Sequence, residues 1–272
     1  MAKNQKKHIC AIIFINKRGD ILLSTNKKAS LAIKEVLSRQ NYLVTQGNDL
    51  AKAFGGLTSF EQRVLDYCFS FVTKDSKASD TYKTTALNII KHFGLNTSGD
   101  SYKRISTAFK RLNENTALYL PTVDSDGVRG ILMTQLFSGI GFKEDGIIQF
   151  EFSKKAAPLI FDLKTNYYSF RLGELSRITG KYSLILLKLW ESYRHGKEAT
   201  TTITGDLEQW ESWFLSKEEH WPAGRFHRDV LERSIKELEG KLPIDTVTTT
   251  FKRGRTVVGY EIQITDTSNI NA

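Results

Sequence analysis

The period of the apolar positions changes several times along the chain. Near the start, "HICAIIFI" is broken by "NKRGD" and resumes as "ILLS", which predicts a β-hairpin with Gly19 in its turn. "SLAIKEVLSRQ" then spaces Leu31, Val36 and Leu37 as a helix would, so residues 1–40 read as a short hairpin-plus-helix extension. After Gly55-Gly56 the period lengthens. "LTSFEQRVLDYCFSFV" places Phe60, Val64, Leu65, Phe69 and Val72 on one face, with Thr58 and Glu61 at capping-box spacing. "TTALNIIKHFGL" predicts a shorter helix stopped by Gly94, and "SYKRISTAFKRLNEN" predicts a third. In that third helix Ile105, Ala108, Phe109 and Leu112 share one side, while Lys103, Arg104, Thr107, Lys110 and Arg111 share the other. The period then falls to that of strands in "TALYLPTV", "GILMTQLFSGIGF" and "GIIQFEFS", separated by "DSDG" and "KEDG".

The second half repeats this order. "TGKYSLILLKLWESYRHG" and "TGDLEQWESWFL" predict two helices, "RFHRDVLERSIKELEG" a third, and "KLPIDTVTTTFKRGRTVVGYEIQIT" a hairpin turning at Lys252-Arg253-Gly254-Arg255. The first and third helices keep similar spacing in both halves, and the pattern recurs after roughly 120 residues. Helix, helix, basic helix and hairpin is the order of a winged-helix domain. The expected fold class is therefore α+β, with two tandem winged-helix domains related by pseudo-duplication. "FDLKTNYYSFRLG" shows no clear period beyond Phe161 and Leu163, which puts the boundary near Ser153: an extension over 1–40, one domain over 41–153 and another over 154–272. No low-complexity linker separates the halves, so they are expected to pack together in at least one state.

Charge narrows the function. Lys and Arg outnumber Asp and Glu to give a formal net charge of +9, a balance that favours an acidic partner such as nucleic acid or an anionic membrane surface. No run approaches the roughly 20 apolar residues of a membrane helix, and "FINKRGD" lacks the small-residue cleavage pattern of a signal peptide. Cys10 and Cys68 are too few for a disulfide framework and read as buried thiols in a reducing, cytoplasmic setting.

Candidate DNA-binding residues follow from the polar faces. In the third helix of the second half, Leu231, Ile235 and Leu238 point inward with Phe226 and Val230 beside them, leaving Arg225, Arg228, Glu232 and Lys236 outward and Arg233 at the flank. Arg can bond two acceptors of guanine at once, so Arg225 and Arg228 are candidate base readers, and His227 could meet phosphate or base. The competing reading pairs these cations with Asp229, Glu232 and Glu237 as a solvated face. Lys252, Arg253 and Arg255 surround one glycine at a hairpin tip, where they have no core role and no acid close by in sequence. In the first half Lys103, Arg104, Lys110 and Arg111 form a second basic face, offset only by Glu114.

Catalytic constellations are missing. His8, His92, His195, His220 and His227 are too scattered for a metal-assisted tyrosine nuclease, which makes Tyr167 and Tyr168 structural. "TGKYS" lacks the upstream glycine of a phosphate loop, and the pairs Glu218-Glu219 and Glu144-Asp145 lie in charged runs with nothing apolar to shift a pKa. Trp210, Trp213 and Trp221 fit core packing better than base stacking. No catalytic residue, metal or cofactor is expected, and the protein is not expected to be an enzyme.

Three blocks carry a family resemblance: "VTQGNDLAKAFGGLTSFEQRVLDYCFS", "YYSFRLGELSRITGKYSLILLKLWESY" and "FHRDVLERSIKELEGKLPIDTVTTTFKRGRTVVGYEIQI". In this order the chain from Tyr42 to Thr265 resembles the two-domain winged-helix replication initiators (Rep) of theta-replicating, iteron-containing bacterial plasmids, while the first 40 residues match nothing in that family. The resemblance implies binding of double-stranded DNA at directly repeated origin sites (iterons), opening of an adjacent A·T-rich region and recruitment of host replication proteins such as helicase. It also implies a monomer/homodimer equilibrium. Monomers would initiate, and dimers, formed with the help of the first domain, would bind an operator with inverted repeats and repress their own synthesis. The second domain would make the main specific contacts. Two alternatives stay open on the residues alone: a winged-helix transcriptional regulator without a replication role, and a nicking initiator.

Overall fold

The computed structural model describes residues 43–123, 125–161, 163, 167–194, 198–215 and 219–268. The predicted hairpin and helix of the first 40 residues, and Cys10, lie outside them.

The first winged-helix domain is built as its capping signals dictate. Helix α1 (Ser59–Phe69) starts at Thr58, whose hydroxyl accepts from the Glu61 amide while the Glu61 carboxylate accepts from the Thr58 amide, so two orphan amides are satisfied together. Helix α2 (Ala86–Phe93) stops at Gly94 in the left-handed region. Helix α3 (Gly99–Asn115) buries Ile105, Ala108, Phe109 and Leu112, the face read from its sequence.

The strands hold more surprises. β1 (Leu43–Gly47), β2 (Tyr82–Thr85), β3 (Ala117–Val123), β4 (Arg129–Gln135), β5 (Phe137–Phe142) and β6 (Ile147–Phe152) follow in chain order. "GILMTQLFSGIGF" is not one strand. It breaks at Leu136, fully buried, so that β4 pairs only with β3 in a two-stranded ribbon while β5 joins a sheet of order β2-β6-β5. Strand β2 escapes a pattern reading because it is four residues long. Its inward positions Tyr82 and Thr84 leave one Lys between them.

After β6 come a short helix α4 (Ala157–Ile160), strand β7 (Tyr167–Arg171) and helix α5 (Leu172–Arg177). The stretch "FDLKTNYYSFRLG", which shows no period in sequence, thus contains a strand, and it pairs antiparallel with β1. This pairing brings Tyr168 to Gln46.

The second half of the chain continues with α6 (Lys181–Tyr193), β8 (Thr200–Asp206), α7 (Leu207–Phe214), a helix α8, β9 (Ile244–Arg253) and β10 (Thr256–Asp266). Its sheet has the order β8-β10-β9, so first, last and middle strands are arranged as in β2-β6-β5, which is the pseudo-duplication read from the sequence. Strand β8 corrects the expectation that "TGD" opens a helix. Thr201, Ile203 and Gly205 point inward, and only Asp206 belongs to the helix, as its N-cap. Two of the inward residues are Thr and Gly, so the strand's apolar alternation is hidden.

Helix α8 runs as α-helix over Ala223–Phe226, widens to a π-helical turn over His227–Glu232 and returns to α-helix over Arg233–Glu239. α6 packs against α8 on one side and α1 on the other, so the two halves of the chain share a packed junction. Within it Lys188 of α6 meets Asp66 of α1 at 2.8 Å, both side chains buried. Gln46 donates to the same Asp66 oxygen at 3.1 Å, and the Tyr168 hydroxyl donates to Gln46. Burial pushes the Asp66 carboxyl up from its ordinary range, against the pull of the Lys188 ammonium and the Gln46 amide.

Candidate nucleic-acid interface

Helix α8 is held from behind. Phe226, Val230, Leu231 and Leu238 are fully buried, and Phe226 stacks on Tyr260 of β10, whose hydroxyl donates to the Ala223 carbonyl. The Trp210 indole donates to the Tyr260 carbonyl, so the tryptophan belongs to the core as its spacing suggests. Trp213 is buried as well, and Trp221 lies half-buried under Arg225.

Glu237 anchors the far end of the helix. Its carboxylate accepts from the amides of Thr179 (2.7 Å) and Gly180 (2.9 Å), the hydroxyls of Thr179 and Ser183, and the Lys241 ammonium. Partial burial works to raise this carboxyl. Hydrogen bonds from Lys241, Ser183 and Thr179 outweigh it and bring the group down to about 2. Glu237 is therefore no surface partner of the helix cations. It ties α8 to the N-terminus of α6.

The front of α8 is cationic. The side chains of Arg225, Arg228 and Arg233 are 54%, 67% and 75% exposed, and all three converge on Asp229. Arg228 meets it in a fork, Nε to Oδ1 and Nη2 to Oδ2, both at 3.0 Å. Arg233 Nη2 lies 3.4 Å from Oδ1 and Arg225 Nε 3.8 Å from Oδ2, while the Arg225 guanidinium sits 4.0 Å above the Trp221 ring. His227 is half-buried, its ring near Tyr260 and its Nδ1 3.2 Å from Glu232. Lys236 is exposed.

The β9–β10 hairpin lies beside this helix and turns at Gly254, whose φ of 63° suits a residue without a Cβ. Lys252, Arg253 and Arg255 are exposed around it, and among the described residues none of the three forms an ion pair.

The first domain presents less free charge than its sequence suggests. Glu114 does offset Lys110, at 3.9 Å, but Arg111 also lies 3.6 Å from Glu61, and Arg104 stacks 3.9 Å over Phe60. The expectation that Glu114 alone offsets this face is thus corrected: Glu61 faces α3 from the start of α1. Lys103 remains exposed. The hairpin β5–β6 that stands where β9–β10 stands in the second domain carries exposed Glu144 and Asp145 at its turn, so the cationic wing belongs to the second domain.

Among the described residues no group of three or more His, Cys, Asp or Glu could hold a metal ion, and no helix is long and apolar enough to cross a membrane. Cys68 is buried. The Lys188–Asp66 pair is what sequence reasoning missed, together with the fork between Asp229 and Arg228 and the place of Glu237 at the α6 N-terminus. For Asp229 the signal present was its position four residues from both Arg225 and Arg233.

Two family models match the chain. Residues 43–191 match the family described as Initiator Replication protein, WH1, and residues 207–264 match Initiator Rep protein, WH2. Among solved structures, the Pi initiator protein, crystallised in complex with iteron DNA, superposes with a TM-score of 0.67 at 16% identity, covering 84% of this chain and 98% of that one. Domains 2 and 3 of RctB give a TM-score of 0.43 at 16% identity over 82% of this chain and 85% of that one. No curated protein sequence matches the chain.

Proposed function

The chain belongs to the family of initiator replication proteins with paired WH1 and WH2 winged-helix domains, and from that premise we propose that it binds directly repeated double-stranded DNA at a replication origin. The observation that carries this reading is the exposed Arg225, Arg228 and Arg233 cluster beside a wing whose three cations form no ion pair among the described residues. In this reading α8 enters the major groove, with Arg228 and Arg225 addressing base edges, while Lys252, Arg253 and Arg255 grip phosphate. Arg233, Lys236 and His227 border the same surface. The first domain adds Lys103 and Lys110 with Arg104 and Arg111 behind them, so two groove entries lie on one chain. The similarity in fold to the Pi initiator, itself solved with iteron DNA, supports a similar docking.

The domain bounds of the proposal come from the sequence pattern, and the finer roles rest on the family. Residues 1–40 form an extension, 41–153 a domain for dimerisation and DNA contact, and 154–272 the main sequence-reading domain. Monomers open an A·T-rich stretch next to the repeats and recruit host replication proteins such as helicase in the cytoplasm. Homodimers repress the protein's own gene. The protein acts by binding and carries out no chemical step.

Titration of the full chain against a duplex of tandem direct repeats and a scrambled duplex, over a salt series, tests the reading. It requires tighter binding to the repeats and affinity that falls steeply with salt as counterions are displaced. Equal affinity for both duplexes contradicts it.

A further inference from the structure

The convergence of three arginines on one carboxylate has a consequence for how the helix selects its DNA. We propose that Asp229 is the positioning residue for base reading on α8: it fixes Arg228 with its free edge outward and restrains Arg225 and Arg233 from gripping phosphate indiscriminately. The inference rests on the DNA-binding reading and deepens it.

The chemistry lies in which edge of the guanidinium is used. Arginine has five N–H donors in a planar fork. The Asp229 carboxylate takes the side edge of Arg228, one hydrogen from Nε and one from Nη2, each at 3.0 Å. What remains free is the Nη1–Nη2 end, the pair of parallel donors that matches O6 and N7 of guanine. An unpaired arginine would lose rotamer freedom on meeting a base, whereas here the ordering is already present in the free protein.

The same carboxylate acts on non-specific binding. Each positive charge near the duplex displaces counterions whatever the sequence, so a bare cluster of three would raise affinity for any DNA. Asp229 places a negative charge at its centre and is itself repelled by phosphate. The π-helical turn runs through His227–Glu232 and so places Asp229 inside the widened segment, between Arg225 and Arg233. Arg225 is further confined between this carboxylate and the Trp221 ring.

The test uses the full chain. A randomised duplex pool of about two helical turns is selected with the wild type, and affinities for the selected duplex and a shuffled duplex are measured over a salt series for wild type, D229N and E232Q. Glu232 lies on the same helix, meets His227 and reaches the Arg228 charge only through space, so E232Q makes the same charge change without removing a hydrogen bond from the arginine cluster. D229N is expected to bind shuffled DNA more tightly and to lose at least about tenfold of the discrimination between the duplexes, with a steeper salt slope on shuffled DNA. E232Q is expected to keep discrimination within about threefold. Selection repeated with D229N should return a degenerate base where the wild type demands guanine. Discrimination kept by D229N, or lost equally by D229N and E232Q, overturns the role of Asp229 while leaving the DNA reading intact. A wild type that selects no sequence overturns both. Thermal unfolding of each variant identifies any loss caused by misfolding, in which case the D229A selection decides by the same criterion.

Discussion

Lys188 of α6 and Asp66 of α1 meet at 2.8 Å with both side chains buried, so the packing of these two helices contains an ion pair in a nearly dry setting. Gln46 adds a second donor to the same Asp66 oxygen, leaving Oδ2 without a hydrogen-bond partner among the described residues, and the Tyr168 hydroxyl donates to Gln46.

Breaking that pair leaves one buried charge uncompensated. Lys188→Met is expected to destabilise the protein by about 3–5 kcal/mol, whereas Lys188→Met combined with Asp66→Leu should recover much of the loss, because an apolar replacement of similar volume needs no partner. Urea denaturation of both variants checks this. A double variant as unstable as the single one would contradict the pairing.

Glu237 supplies a pH dependence of known sign. Its carboxyl is held at about 2 in the folded protein, below its ordinary value of 4.5. The unfolded chain therefore binds the extra proton between these values, and the stabilisation is complete above pH 4.5 and lost as pH falls toward 2. Thermal midpoints of wild type and Glu237→Gln should differ most near neutral pH and converge at the acid end. A difference that stayed constant from pH 7 to pH 2 would rule out the carboxylate as the cause.

Arg228→Ala is expected to weaken binding to the repeats and relax base preference at one position by about 1–3 kcal/mol. Binding to a series of repeats mutated base by base reads this directly. Unchanged preference throughout the series would remove Arg228 from the base contacts.

The wing should behave differently. Arg253→Ala with Arg255→Ala is expected to weaken specific and scrambled DNA alike and to reduce the salt slope by about two counterions' worth. An unaltered slope would take the wing off the phosphate backbone.

How far the sequence could be read follows from the residues themselves. Helices α1, α3 and α8 and the β9–β10 hairpin are legible because their apolar positions keep one period, with a capping box at the start of α1 and a glycine turn in the hairpin as further marks. Strand β8 is not, since Thr201 and Gly205 occupy inward positions and blur a two-residue alternation. Strands β1 and β7 are five residues each and find each other across more than 100 positions, a pairing that no local window contains. The basic face of α8 could be seen, but opposite charges at helical spacing fit an idle surface as well as an organised one. The structure has the pairing with Asp229 that spacing predicts and adds the fork on Arg228, which spacing does not show. Glu237 was read as a surface partner because sequence spacing along α8 says nothing of the α6 N-terminus packed against it.

The most direct measurement is hydroxyl-radical footprinting of the purified full chain on its origin DNA. The account predicts protection at regular helical-turn intervals along tandem direct repeats, with loss of protection as salt rises. No protection of the repeats, or protection confined to one inverted repeat at a promoter, would contradict it.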